Sequence, residues 1–545
     1  MMDWLNSLVG DVNSVLWGVF CLIPLLCGTG IFYTIRLRFV QVRKFGLALK
    51  ILFGGASLFG KRADKTGMSS FQALATAIAA QVGTGNVAGT ATAIVSGGPG
   101  ALFWLWVAAF FGMATIFAEA VLAQTYRDKD ANGHIVGGPA YYITKGMGEK
   151  FRPMAVFFSI AIIIALGCIG NAVQSNSISM AMKTAFDMPL LITGVVVAVL
   201  SGFVFFGGIG RLASVTEKIV PAMAAIYIVG GTWVICMHAA QIIPAFELII
   251  EAAFNPQAVA GGALGLTVAK AMQFGVARGL FSNEAGMGST PHAHAVAKVE
   301  HPVEQGLVAI FGVAATLIIV TFTGIVILVT GVLDYKTTGI ELTQHAYNVG
   351  LGSIGMSFVA VCLFFFAFST IIGWYFFGEQ NVRFLFKGRG LLPYRLLVCA
   401  FIILGATLKV DLVWSLADLF NGLMVIPNLI ALLALNKVVV NSLNDFEAKL
   451  AMVEKTQKEQ AELKEKAAEA RKRLDDEARL AVDAREWVES IQEYRDIAEL
   501  DAATLNRLIK EIVVHETIDS DKTRHISIEI HFNLKPLPEV EQVTG

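Results

Sequence analysis

Residues 71–94 read FQALATAIAAQVGTGNVAGTATAI, and residues 269–291 read AKAMQFGVARGLFSNEAGMGSTP. Each is an apolar stretch of the length that crosses a bilayer, roughly 20 residues for a hydrocarbon core about 30 Å thick. Each is also interrupted. The first carries Gln81, Gly83, Thr84, Gly85 and Asn86 at its centre, and the second carries Gln273, Gly275, Gly279, Ser282, Asn283, Glu284, Gly286 and Gly288. A glycine in a helix interior costs about 1 kcal/mol relative to alanine. Glycines clustered with amides and hydroxyls therefore favour local unwinding. Unwound backbone survives at membrane depth only where protein buries it or where it lines a cavity. There, freed carbonyls can ligate a cation and freed N–H groups can hold a carboxylate. The competing explanation is close helix packing through small residues, and both stay open from these residues alone.

The rest of the chain sets these two stretches in a membrane. Of its 545 residues 55% are hydrophobic and 16% charged, against about a quarter charged in a soluble domain. The mean hydropathy is +0.64. Eleven candidate spans fall at approximately 15–35, 68–97, 99–123, 153–177, 188–208, 213–238, 265–290, 304–332, 353–380, 391–409 and 411–436. Alternate loops are basic. They hold Arg36, Arg38, Arg43, Lys44, Lys50, Lys61, Arg62 and Lys65, then Arg127, Lys129, Lys145, Lys150 and Arg152, then Arg211 and Lys218, then Arg383, Lys387 and Arg389. Basic loops stay cytoplasmic. The expected orientation is thus N-terminus outside and C-terminus inside, with the chain multi-pass in the inner (plasma) membrane. The external loop 239–264 has room for a short re-entrant or interfacial helix, and 338–350 is a second short external candidate. No cleavable signal is read before the first span. The six cysteines lie in apolar stretches without metal-ligand spacing and read as small buried hydrophobes.

If the first span is an addition, spans two to six and seven to eleven form two groups of five. Span two enters from the cytoplasm and span seven from outside, so the interrupted helix comes first in each group with opposite orientation. That is the layout of a five-plus-five inverted repeat. The fold class expected is an all-α integral membrane protein of eleven transmembrane helices, one extra N-terminal helix plus the repeat, followed by a cytoplasmic coiled-coil/α+β tail.

Four runs, GGPGALFWLWVAAFFG (97–112), GLFSNEAGMGS (279–289), HPVEQGL (301–307) and FSTIIGWYFFGE (368–379), resemble motifs of the alanine/glycine:cation symporter family. Leu105 stands where methionine is more usual. The resemblance covers residues 1–440, the membrane transporter domain. It implies the inverted-repeat fold of the amino-acid/neurotransmitter:sodium symporters. It also implies import of small neutral amino acids, alanine or glycine, coupled to Na+ or H+ by alternating access. A channel, or a transporter for another small solute, is the alternative. No cofactor is implied beyond the coupling ion, and no nucleic-acid partner.

With that resemblance, Gly83, Thr84 and Gly85 offer N–H groups to a substrate carboxylate, with Gln81 and Asn86 adding side-chain contacts. Carbonyls near Ala80 and Gly83, with the adjacent hydroxyls of Ser369 and Thr370, make a candidate sodium site. Hydroxyls back-bonded to their own helix are the alternative for that pair. Trp374, four residues beyond Thr370 on the same helix face, either walls a small pocket or is a packed or interfacial tryptophan. Gln273, Phe274 and Gly275 are placed before the span-seven break, where they supply an amide and an apolar wall. Gln174 reaches either the substrate or a neighbouring helix. Intramembrane carboxylates are functional candidates. Glu284 braces the unwound segment, relays a proton or pairs with Arg278, while Glu119 and Glu379 lie towards the cytoplasmic ends of their spans. His292, His294 and His301 read as loop residues. No nucleophile constellation or phosphate-binding loop is present, so an enzyme is not expected.

Beyond position 440 the character changes. The last 105 residues hold 24 acidic and 16 basic side chains, leaving 19 acids and 26 bases to the first 440. Residues 441–499 read as a charged helical or coiled-coil segment, with self-association through it in view. Residues 500–545 read as a small α+β fragment, in which 500–533 suggests a short helix and two alternating strands. The stretch from about 471 resembles the C-terminal end of large serine recombinases, without their catalytic domain.

Overall fold

A computed structural model describes residues 2–18, 21–53, 67–130, 133–255, 267–492, 501–518 and 524–533. Lys61, Arg62 and Lys65 of the first basic loop lie outside the described residues, as do positions 256–264 of the loop 239–264. The chain divides into two compact units, Met1–Phe446 and Glu447–Gly545.

In the first unit, α1 (Met2–Leu16) precedes α2 (Leu22–Arg36), α3 (Val40–Arg43) and α4 (Phe45–Phe53). α5 (Ser70–Gln81) starts at a capping box: Ser69 Oγ accepts from Gln72 N and Gln72 Oε1 accepts from Ser69 N, at 3.1 and 3.2 Å. This satisfies two of the donors that a helix start leaves free. After a short bend comes a π turn at Gly85–Gly89, then α6 (Thr90–Gly97) and α7 (Ala101–Thr125). A small ribbon, β1 (Asp128–Lys129) and β2 (Ile135–Val136), is antiparallel and leads to α8 (Pro139–Tyr142). α9 (Arg152–Ile162) runs through a π-helical stretch at Ile163–Gly170 into α10 (Asn171–Phe186). Then come α11 (Leu190–Phe205), α12 (Gly208–Met237), α13 (Ile242–Phe254) and α14 (Val268–Asn283). α15 (Pro291–Ala295) is short, and α16 (Pro302–Val329), α17 (Gly339–Leu351), α18 (Gly355–Phe386), α19 (Leu391–Thr407) and α20 (Val410–Ala434) complete the unit.

Among the described residues, six helical stretches are long and apolar enough to cross a membrane: 101–125, 149–186, 208–237, 302–329, 339–386 and 413–434. Three shorter apolar helices are α2, α11 and α19. Their outer faces are apolar. Val195, Val199 and Phe203 of α11, Ile226, Val229 and Trp233 of α12, and Leu392, Leu396 and Leu404 of α19 are exposed. Contiguous apolar surface on this scale suits lipid rather than water. Polar side chains such as Asn86, Gln174, Thr370 and Asn428 are buried instead. α7 packs on α16, α14 and α2, α10 packs on α18 and α19, and α5 lies among α12, α16 and α18.

Several details differ from the sequence expectations. α1 was not expected, and the first apolar helix begins at Leu22 rather than near 15. α14 stays helical through Gln273, Phe274 and Gly275, and its break comes only after Asn283. Gly275 and Gly279 face α7 instead: a Cβ on Gly275 would lie 2.4 Å from the Ala101 carbonyl oxygen, and one on Gly279 would touch Leu105 and Ala108. The small residues of that stretch serve packing, and only the later glycines serve the break. His292 and His294 are not loop residues but wholly buried in α15. Glu119 and Glu379 are buried too.

α21 (Asn436–Gln492) begins before the boundary at Phe446 and carries a charged, exposed surface beyond position 450, interrupted only at Trp487 among its described side chains. α22 (Ala502–Leu508) begins at Asp501, whose carboxylate accepts from Thr504 N at 2.8 Å. β3 (Ile509–Ile518) and β4 (Arg524–Phe532) pair antiparallel, Val514 opposite Ile528.

Candidate functional site

The bend at Val82–Gly83 opens α5 where three other helices converge. Gly83 is required there by space. A Cβ on it would sit 2.4 Å from Thr370 Oγ1, closer than real Cβ atoms come, and 3.1 Å from Gln174 Oε1. The freed N–H groups are not idle: Gly83 N donates to Asn86 Oδ1 at 3.0 Å, and Thr84 N donates to Gln174 Oε1 at 3.1 Å. Two amide oxygens thus stand where the oxygens of a carboxylate would accept. Gln174 Nε2 and Thr84 Oγ1 are buried with no protein partner, although buried polar groups are nearly always bonded. The corner thus leaves two polar atoms open to a further partner.

Against the same face of Gly83, α18 presents Ser369 and Thr370. Thr370 Oγ1 donates to the Ala79 carbonyl at 2.9 Å and Ser369 Oγ lies 3.4 Å from the same oxygen. Both hydroxyls also bond the Phe366 carbonyl of their own helix, at 3.0 and 2.9 Å. Back-bonding and the cross-helix contact therefore coexist. The carbonyl reached is that of Ala79, one residue before Ala80. Ala80 instead abuts Gly373, whose Cβ would meet it at 2.8 Å. Hard, neutral oxygens gathered beside an unwound segment are the donor type that suits Na+.

The two interruptions meet. Gln81 Nε2 donates to Asn283 O at 2.6 Å and Asn86 Nδ2 to Ser282 Oγ at 2.7 Å, so the α5 break caps the end of α14. Beyond Asn283 the backbone turns with positive φ at alternate residues, Glu284 (φ 56°), Gly286 (φ 88°) and Gly288 (φ 79°), a conformation that the two glycines adopt readily. Glu119 of α7 holds this turn: its carboxylate accepts from Gly286 N at 3.1 Å, Gly288 N at 2.9 Å and Asn428 Nδ2 at 2.7 Å. Glu284 accepts from Trp374 Nε1 and from Ser289 Oγ, each at 2.5 Å. It does not pair with Arg278, which makes a bidentate ion pair with Asp418 of α20 at 2.7 and 2.9 Å.

Trp374 is walled on one side by Gly170, whose Cβ would strike its ring at 2.6 Å. On the other side Phe281 meets it edge-on, with ring centroids 5.7 Å apart, and Phe281 in turn meets Trp414 at 5.0 Å. Phe281 also lies over Gly85. Nothing in the local pattern of α14 singled out Phe281. Its one signal was lying two residues before the amide and carboxylate at 283–284. Gln273, Phe274 and Gly275 are not brought to this place. They precede Asn283 by about 15 Å of helix, and Phe274 lies beside Gly97 at the far end of α6.

A buried polar corner, an oxygen cluster and an aromatic pair thus come together between helices. The profile of the sodium:alanine symporter family matches residues 2–461. The chain belongs to that family. It is a transporter and not an enzyme. A sodium/alanine symporter of Methanococcus maripaludis, AgcS, is 44% identical over 455 residues, which cover 82% of this chain and 98% of that one. A probable sodium/glutamine symporter of Bacillus subtilis, GlnT, is 44% identical over 82% of this chain and 91% of its own length. AlsT, an amino-acid carrier protein of Bacillus subtilis, is 40% identical over 82% and 93%. Residues 473–534 match a domain of unknown function. Likeness to solved structures is loose: a manganese transporter of Eremococcus coleocola aligns over 68% of this chain and 78% of its own at 14% identity, with a TM-score of 0.45. Family membership therefore rests on sequence.

Proposed function

We propose that this family member imports small neutral amino acids, alanine or glycine, with Na+, and that the α5 break is where both bind. The observation that carries this is the convergence at Gly83. Gln174, which accepts from Thr84 N, and Thr370, which with Ser369 reaches the Ala79 carbonyl, both close on the space where a Cβ of Gly83 would stand. A substrate carboxylate would replace the amide oxygens of Asn86 and Gln174 at the Gly83 and Thr84 N–H groups. Its ammonium would find Gln81 and Thr84 oxygens, and its short side chain would meet Trp374 and Phe281. Sodium would take Ala79 O, Ser369 Oγ and Thr370 Oγ1 once the hydroxyl hydrogens turn away, with the backbone of Ala80 and Gly83 close by. Gln273, Phe274 and Gly275 would act from the outer half of α14 as part of the approach.

Eleven crossings arranged as one helix plus a five-plus-five inverted repeat fit the two breaks, each closing the first helix of its half and each meeting the other. Alternating access would then rock one half on the other, in the plasma membrane with the N-terminus outside and the C-terminus in the cytoplasm. The exposed charged surface of α21 is suited to self-association. The test is uptake of labelled alanine and glycine by proteoliposomes. Saturable uptake driven by an inward sodium gradient is expected, with glutamine and leucine as weak competitors. Uptake indifferent to the gradient would sink the symport assignment.

A further inference from the structure

Glu119 and Glu284 are both wholly buried in the α14 break, yet their hydrogen bonds differ in kind. Every donor to Glu119 is an N–H: Gly286 N, Gly288 N and Asn428 Nδ2. None of these can accept, so a proton on Glu119 would cost it a bond. Glu284 has one N–H donor, Trp374 Nε1, on Oε1, and one hydroxyl, Ser289 Oγ, on Oε2. A hydroxyl donates or accepts as needed. Glu284 can therefore gain a proton on Oε2 and keep both partners: Ser289 turns its hydrogen away and accepts, while Oε1 goes on accepting from Trp374. Among the described residues neither carboxylate has a basic partner.

We propose that Glu284 is a proton-binding site built into the break, joined by one hydrogen bond to the tryptophan of the substrate site. The proposal rests on the transport function above, and it assigns Glu284 a positioning role, because Trp374 stands between it and the solute. A charged Glu284 holds Trp374 by a charge-assisted bond, about twice as strong as the neutral one that remains after protonation. Proton binding thus loosens Trp374, and a solute that needs Trp374 in place binds with different affinity in the two states. By linkage, solute binding changes proton affinity by the same factor. The other titratable or charged groups around the break are otherwise occupied. Tyr142 of α8 donates to Asn428, Tyr33 of α2 to Leu432 O, and the His292 ring lies between Ser289 O and Asn381. Arg278 and Asp418 hold each other, and in α18 Glu379 is held by Arg383 and Tyr375. Cys27 of α2 lines the same cleft as Ala285 without bonding Glu284.

The experiment is alanine affinity as a function of pH for the full-length protein at saturating sodium, read in parallel with sodium-driven uptake. The wild type is expected to change affinity several-fold through a single one-proton transition. Glu284→Gln, whose amide accepts from Trp374 and donates to Ser289, should abolish the transition. Glu119→Gln should keep it. Ser289→Ala removes a hydroxyl that donates to the charged carboxylate more strongly than it accepts from the protonated one, so its midpoint should move up by roughly one pH unit, a factor of ten in proton affinity. A wild-type affinity flat across pH, a transition surviving in Glu284→Gln, or an unmoved midpoint in Ser289→Ala overturns the proposal. If Glu284→Gln does not reach the membrane, Ser289→Ala decides alone. Absence of sodium-driven uptake at every pH would instead overturn the transport function.

Discussion

Thr370 meets Gly83, the Ala79 carbonyl and the Phe366 carbonyl of its own helix. Removing its hydroxyl takes one oxygen from the sodium position and leaves Gln174, Thr84 and Trp374 untouched. Thr370→Ala is expected to raise the half-activating sodium concentration roughly tenfold, the equivalent of about 1.4 kcal/mol. The ranking of amino-acid competitors should not change. Sodium activation curves of uptake check this, and an unmoved curve removes Thr370 from the site. Gly170 gives the complementary test for the solute. A methyl group there meets the Trp374 ring at 2.6 Å and the backbone oxygen of Ala165, in the π-helical stretch, at 2.8 Å. Gly170→Ala should therefore cut alanine uptake by more than tenfold while sodium binding, read by sodium-dependent quenching of tryptophan fluorescence, persists.

At the scale of elements, the α14 break is fastened from several sides. Glu119 holds its backbone, Gln81 and Asn86 hold its start, and the Arg278–Asp418 pair ties α14 to α20 with the guanidinium 5.0 Å above the Trp414 ring. Breaking a buried pair from one side leaves an uncompensated charge, at a cost of 3–5 kcal/mol when burial is complete. Both side chains keep some exposure, 10% and 21%, so about 2 kcal/mol is expected for Asp418→Asn. The measurement is the thermal midpoint in detergent. A double variant, Arg278→Met with Asp418→Leu, should recover most of the loss, since it leaves no charge behind. Equal loss in both would mean that packing and not charge holds the two helices. α14 also shows how one element mixes two uses of glycine. Gly275 and Gly279 are small so that α7 can approach, whereas Gly286 and Gly288 are free so that the chain can turn.

Across the whole molecule, every residue of the candidate site belongs to the unit ending at Phe446. Deletion from Glu447 onward is expected to leave sodium-driven uptake per molecule in the membrane nearly unchanged. Quantifying the truncated protein in the membrane alongside uptake checks it, and a collapse of uptake per molecule would make the tail part of the mechanism. The amino-acid sequence determined that the chain is built of apolar helices, since hydropathy over 20 residues is a local property and lipid leaves no other way to satisfy the backbone. It also marked residues near 81–86 as a place where a helix is weak, because Gly83, Thr84 and Gly85 are poor helix formers wherever they stand. Only the tertiary structure decided where α14 breaks, because a glycine that packs and a glycine that turns look alike until their neighbours are known. It decided that the hydroxyls of Ser369 and Thr370 reach Ala79, that Phe281 and not Phe274 lies against Trp374, and that His292 and His294 are buried. These are contacts between residues far apart in the chain. No local periodicity records them, because which helix lies opposite is set by the packing of the whole bundle.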